Sequence, residues 1–197
     1  EPFSGLDVTL RQRIRDETLH VLKETNTATL MVTHDPEEAM FMADRVAIMR
    51  EGRIVQMGTP GALYTAPATQ FVASFFGDIN TLNGEIRDGE AVTELGSVCA
   101  RGFSEGTPIT LLVRPEAVRL DPLDNDAERG ANAARVLASR LLGRSSIVHL
   151  KLDGGQGQTV HAKVPGRFLP PENTRVNVRL DSNQAFVFAR DDAADAA

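Results

Sequence analysis

The sequence predicts an α/β segment followed by an all-β, OB-like barrel. Up to residue 77, helical periodicity is interrupted by one short apolar run and one hairpin pattern, which is typical of a mixed α/β fold. From residue 78 onward, short alternating runs are separated by turn residues and no long helical period remains, which is typical of a small barrel. We therefore expect domains at 1–77 and 78–190, followed by a disordered acidic tail at 191–197.

Composition and charge restrict the class of protein. Of the 197 residues, 42% are hydrophobic and 24% are charged, as in ordinary globular proteins. The formal net charge of −6 argues against a nucleic-acid partner, because such binding depends on positive charge that contacts phosphates. A single cysteine, Cys99, excludes an internal disulfide and favours a cytoplasmic setting. No apolar run approaches the roughly 20 residues of a membrane-spanning helix.

The first predicted elements are a helix, a strand and a second helix. Residues 8–24 have apolar side chains at helical spacing after Asp7, a plausible N-cap, and their charged face, which includes Arg11 and Arg15, is expected in solvent. The apolar run at 28–33 predicts a strand buried on both faces of a parallel sheet. The sequence Asp35-Pro36-Glu37-Glu38 then predicts a helix start, with aspartate as the N-cap and proline in the first turn.

His34 lies between the expected strand and the second helix. Open α/β sheets bind ligands at the carboxyl ends of their strands, so a histidine in this place can donate a hydrogen bond to a phosphate. Taken alone, a histidine in this place is more often a partly buried residue that caps the strand. The pattern around it decides between these interpretations.

The remaining elements are predicted to be a hairpin, two short helices and the strands of the barrel. The hairpin is expected at 45–50 and 53–58, and helices are expected from Thr59-Pro60 and at 68–76. The segment 122–130 is expected to be an exposed loop. The strands of the barrel are expected at 82–87, 91–100, 109–114, 135–142, 147–152, 159–164, 176–180 and 186–189.

Three segments of the first domain together resemble a known family. They are EPFSGLD at the start, THDPEEAMFMADRVAIM at 33–49 and REGRIVQMGTPGALY at 50–64. In this order they are similar to the C-terminal part of an ATP-binding-cassette (ABC) ATPase domain, a P-loop NTPase. More narrowly, they resemble the ATPase subunits of binding-protein-dependent importers.

The resemblance implies roles for individual residues. Glu1 matches the family's catalytic glutamate, which orients and polarises the water that attacks the γ-phosphate. The run Ser4-Gly5-Leu6-Asp7 matches the D-loop, which lies at the interface of two ATPase subunits near the nucleotide. His34 matches the switch histidine that contacts the γ-phosphate. ATP and Mg²⁺ are the implied cofactors, and no residue of this sequence is assigned as a metal ligand.

Other motifs of the family are missing from the sequence. There is no G-x-x-x-x-G-K-[ST] motif, whose backbone and lysine hold the phosphates. We expect this P-loop, the Walker B aspartate and the signature motif to lie upstream of Glu1, and we expect the sequence given to be a fragment that is inactive alone. The run Leu152-Asp153-Gly154-Gly155-Gln156 differs from the family signature LSGGQ at one position. Because it lies far downstream, we interpret it as a hairpin turn.

The second domain resembles the transport-associated OB (TOBE) domain of the same subunits. The resemblance depends on Leu111-Leu112-Val113-Arg114-Pro115-Glu116 and on the domain order. It implies a domain that pairs two ATPase subunits as a homodimer and, in some members of the family, binds regulatory ligands. Arg114 and Glu116 could equally form an ordinary surface ion pair.

Together the resemblances imply an importer subunit that couples ATP hydrolysis to solute uptake at the cytoplasmic face of the cell membrane. Its partners would be a second ATPase subunit, the membrane permease subunits and, indirectly, a solute-binding protein, with no nucleic acid. The run FFGDIN at 75–80 favours ferric iron as the solute, with polyamine, sulfate, sugar and thiamine as alternatives. The alternative function is a stand-alone ligand-sensing or dimerisation module with a vestigial ATPase segment.

Overall fold

The computed structural model describes residues 2–3, 5–122, 132–155 and 157–190, and it divides into two compact units, 1–77 and 78–197. In these described ranges β-strands predominate over helices, and no helix is long and apolar enough to cross a membrane. The tail expected at 191–197 and the loop expected at 122–130, apart from the backbone of Pro122, lie outside the described residues.

The first unit begins with a helix at the predicted position. Helix α1 spans Val8–Glu24, and the Asp7 carboxylate caps it by accepting hydrogen bonds from the Thr9 and Leu10 amides, both at 3.1 Å. The expectation that Arg15 lies in solvent is wrong, because its side chain is buried. Its guanidinium packs 5.6 Å from the centre of the Phe41 ring, a cation–π contact that a charge pattern does not reveal.

The expected buried strand at 28–33 is wrong for this structure. Residues 27–33 have no regular secondary structure, and the side chains of Leu30 and Val32 are 93% and 75% exposed. A strand buried on both faces needs hydrogen-bonded neighbours on both sides. Within the described part of the chain no strand pairs with this segment, so its apolar side chains have no core to enter.

The rest of the first unit packs around a small core. The antiparallel hairpin is confirmed, and its turn is formed by Glu51 and Gly52, which have φ angles of 52° and 73°. Thr59 and Thr69 cap the two short helices that follow. The core consists of Ala39, Val46, Ile48, Leu63 and Val72. The elements are α2 (Pro36–Met42), β1 (Val46–Arg50), β2 (Arg53–Gly58), α3 (Pro60–Thr65) and α4 (Gln70–Phe75).

The second unit consists of two five-stranded antiparallel sheets. The strands are β3 (Asn80–Arg87), β4 (Glu90–Thr93), β5 (Gly96–Cys99), β6 (Pro108–Val113), β7 (Val118–Pro122), β8 (Ala133–Leu141), β9 (Ser145–Leu152), β10 (Thr159–Pro165), β11 (Arg175–Leu180) and β12 (Ala185–Ala189). The first sheet has the strand order β12-β6-β3-β4-β5, and the second sheet has the order β10-β9-β8-β11-β7.

Both sheets of the second unit bury their apolar side chains in one common core. Along β9, for example, Val148, Leu150 and Leu152 are buried while alternate residues are more exposed. Leu82 and Leu111 enter the same core from the other sheet. The all-β, OB-like character predicted for this part of the chain is therefore confirmed.

The second unit has two more strands than predicted. The expected strand at 91–100 is two strands, because Glu94 and Leu95 form a turn between β4 and β5. Strand β7 was not predicted, although Val118 and Leu120 alternate with charged residues along it. The segment 153–158 connects the antiparallel strands β9 and β10, so the interpretation of this run as a turn is confirmed for its described residues.

Gly84 is a position where the fold has no room for a side chain. It lies in β3, and a Cβ atom there would lie 2.2 Å from the carbonyl oxygen of Val92 and 2.8 Å from Cγ2 of Thr93. We expect Gly84→Ala to lower the free energy of unfolding by at least ~2 kcal/mol, because the backbone of the sheet would have to shift. Urea unfolding monitored by circular dichroism measures this change.

Gly154→Ala is the matched control, because a Cβ atom at Gly154 would meet no atom within 4 Å. We expect its unfolding midpoint to remain close to that of the parent chain. Equal midpoints for the Gly84 and Gly154 variants would contradict the packing described for β3.

Candidate functional site

The first part of the candidate site is the short segment before helix α1. Phe3 is buried, Gly5 has a φ of +82°, and Asp7 caps the helix. The positive φ at Gly5 is a conformation that favours glycine, so the chain can turn here into the helix. Glu1 and Ser4 lie outside the described residues, and the roles predicted for them therefore stay predictions.

The second part is the turn that contains His34. The Thr33 hydroxyl accepts a hydrogen bond from the Asp35 amide at 3.0 Å and donates one to the buried Glu38 carboxylate at 2.8 Å. Asp35 in turn accepts from the amides of Glu37 at 2.8 Å and Glu38 at 3.3 Å. His34 is exposed between two residues whose positions are fixed by these bonds, so the turn presents its imidazole from a fixed backbone.

Arg11 brings the two parts together. Its Nη2 donates to the carbonyl oxygen of Leu6 at 3.0 Å, and its Nη1 lies 3.9 Å from an Asp35 carboxylate oxygen. Sequence reasoning placed Arg11 in solvent and missed this bridge. No local sequence pattern indicates this bridge, because Asp35 lies 24 positions from Arg11. Leu6 and His34, which are far apart in sequence, thus belong to one connected region.

The chemistry available in this region is limited. An imidazole N–H of His34 can donate to a phosphate oxygen, and the turn at Gly5-Leu6-Asp7 can supply backbone contacts. Within the described residues, however, there is no cluster of three or more histidine, cysteine, aspartate or glutamate side chains able to hold a metal ion. The groups that this region can offer to a ligand are the imidazole of His34 and the backbone of the turn before α1.

The hydrogen bonds by which Asp35 caps α2 can be tested by mutation. We expect Asp35→Ala to lower the free energy of unfolding of the first unit by about 1 kcal/mol, because two amides of α2 lose their acceptor. Hydrogen exchange should show faster exchange at Glu37 and Glu38. Asp44→Ala, an exposed aspartate just after the helix, is the control and should leave both amides unchanged. Unaltered exchange in the Asp35 variant would contradict the capping geometry.

Comparison with known proteins finds similarity to import ATP-binding proteins. Residues 111–188 match the TOBE domain family. The chain is 36% identical over 203 residues to the sulfate/thiosulfate import ATP-binding protein CysA 2 of Chromobacterium violaceum, an alignment that covers 94% of this chain and 54% of that protein. It is also 36% identical to the sn-glycerol-3-phosphate import ATP-binding protein UgpC of Roseobacter denitrificans, with coverages of 97% and 54%.

A third relative is the Fe(3+) ions import ATP-binding protein FbpC of Serratia marcescens, which is 38% identical over 130 residues, with coverages of 66% of this chain and 37% of that protein. Among solved structures, the cytoplasmic molybdate-binding protein ModG aligns with a TM-score of 0.44 and 14% identity, over 56% of this chain and 96% of that one.

The chain spans about half the length of the first two curated relatives it matches. The resemblance predicted from the sequence is confirmed, since the similarity to importer proteins extends over both units. The chain is a relative of the ATP-binding subunits of ABC-type importers, and its second unit carries a TOBE domain match.

Proposed function

We propose that the chain forms the C-terminal part of the ATP-hydrolysing subunit of an ABC importer, which couples ATP binding and hydrolysis to solute uptake. The observation that carries this proposal is the 36% identity to import ATP-binding proteins over 94% to 97% of the chain. The order of Glu1, the run Ser4-Gly5-Leu6-Asp7 and His34, which is the order of the family's motifs, supports it.

In the proposed mechanism the residues of this chain contact a nucleotide that other segments hold. Glu1 orients the attacking water and accepts its proton. His34 donates to the γ-phosphate from the turn fixed by Thr33 and Asp35. Mg²⁺, when bound with the nucleotide, would supply positive charge beside the phosphates, and no residue of this chain is assigned to hold it. The D-loop run crosses to the second ATPase subunit, and Arg11 connects it to the histidine turn.

The proposed setting is the cytoplasmic face of the cell membrane. The partners are a second copy of the subunit, paired through the unit at 78–190, the permease subunits and, indirectly, a solute-binding protein. Four of the relatives are named for sulfate/thiosulfate, glycerol-3-phosphate, spermidine/putrescine and ferric iron, at identities of 35% to 38%. This similarity does not favour ferric iron over the other three solutes.

One observation favours ligand sensing by the second unit as a second candidate function. A groove of about 630 Å³ lies between β7, β10 and β11, with an apolar part that includes Val118, Leu120 and Phe168. Its rim carries the ion pair between Arg119 and Asp181 at 3.4 Å. The backbone amide of Asn183, followed by Arg119, lowers the pKa of Asp181, so this rim stays charged at neutral pH. A groove of this kind can accommodate a small amphipathic molecule.

The proposed catalytic role is tested in the longer subunit that includes the P-loop. We expect Glu1→Gln to abolish ATP turnover while nucleotide affinity stays nearly the same, because the amide keeps the shape of the side chain but cannot accept a proton. His34→Ala should also reduce hydrolysis more than binding. Steady-state phosphate release and nucleotide titration measure the two effects separately.

Matched controls are available on α1. Glu24→Gln and His20→Ala make the same chemical changes at exposed positions, and both should keep the parent turnover rate. If the Glu1 or His34 variant hydrolysed ATP as fast as its control, the role proposed for that residue would be wrong.

A further inference from the structure

His149 and His161 form a pair on the outer face of the second sheet. Strands β9 and β10 are antiparallel, and the register places these two histidines directly opposite each other. Their neighbours Val148, Leu150 and Val160 point into the core, so the histidines lie on the opposite face, where both are half-buried. The ring centroids are 4.4 Å apart, with an angle of 65° between the ring planes.

The side chain of Asn80 fixes the backbone of this pair. Its Nδ2 donates to the carbonyl oxygen of His161 at 2.8 Å, and its Oδ1 accepts from the amide of His161 at 2.6 Å. Because both backbone groups of His161 are directed towards β3, they point away from β9. His149 and His161 are therefore a non-hydrogen-bonded pair, the type in which opposite side chains lie closest together.

The pair is partly buried and has positively charged side chains nearby. Burial, followed by the adjacent His161 and Arg140, lowers the pKa of His149. The nearby cations have carboxylate partners, since Arg140 lies 3.9 Å from Glu172 and Lys163 lies 3.0 Å from Glu116. Their repulsion of a bound cation is thereby reduced.

We propose that His149 and His161 form a two-imidazole site for a divalent transition-metal ion of the Zn²⁺ class. Imidazole nitrogen suits Zn²⁺, Ni²⁺ and Cu²⁺, whereas Mg²⁺ and Ca²⁺ prefer oxygen ligands. Zn–N bonds of about 2.0–2.1 Å at tetrahedral angles place two ligating nitrogens roughly 3.3 Å apart, so each ring must direct one nitrogen towards a common point beside the pair. Water completes the coordination. This site is independent of the proposed nucleotide chemistry.

The test is a calorimetric titration of the metal-free, full chain with ZnCl₂ at pH 7.5 in a buffer that does not bind metal. We expect one zinc ion to bind, and we expect His149→Gln and His161→Gln each to weaken binding about tenfold or more, because each removes one of two protein ligands. His20→Gln, which changes an exposed histidine of α1, is the control and should bind zinc like the parent chain. Binding should weaken as the pH falls, because protons compete with the metal ion for the imidazole nitrogens.

A second measurement does not depend on how well the variants fold. Zinc should protect His149 and His161 of the parent chain from acylation by diethyl pyrocarbonate, as read by mass spectrometry, and should leave His20 reactive. The proposal is overturned if zinc does not bind, if both variants bind it as tightly as the parent, or if protection appears only at His20 or His34.

Discussion

A buried strand needs hydrogen-bond partners for its backbone on both sides. The two units of the chain differ in whether they supply these partners. In the second unit, two complete antiparallel sheets supply them internally and share one core. In the first unit none of the described strands lies beside the apolar segment at 27–33, and Leu30 is 93% exposed. The proposed function accounts for this difference, since the missing neighbours would belong to an ATPase sheet that other segments complete.

The candidate site keeps its local geometry despite that unpaired segment, because short-range bonds determine it. Asp7 caps α1, Asp35 caps α2, and Thr33 joins Asp35 to Glu38 within five residues. Arg11 then connects the two regions through its guanidinium. None of these contacts needs a completed sheet. The described residues of the candidate site are therefore positioned by capping and by ion pairing.

Local patterns could be predicted from the sequence because local interactions form them. The helix at 8–24 follows from its cap and its period, and the hairpin follows from a glycine turn between two apolar runs. Long-range partners could not be predicted in this way. The contact of Asn80 with His161 joins residues 81 positions apart, and the contact of Arg15 with Phe41 joins two different helices. The segment at 28–33 has the composition of a buried strand, but composition does not show whether another strand lies beside it.

In the proposed function, the first unit is the C-terminal part of an ATPase domain whose sheet other segments complete. Hydrogen exchange at the amides of residues 29–33, compared between this chain and a longer protein that includes the P-loop, tests this proposal most directly. We expect the amides of residues 29–33 to exchange fast in this chain and to be strongly protected in the longer protein, where the segment gains strand neighbours on both sides. Strong protection in this chain alone, or equally fast exchange in both proteins, would contradict the proposal.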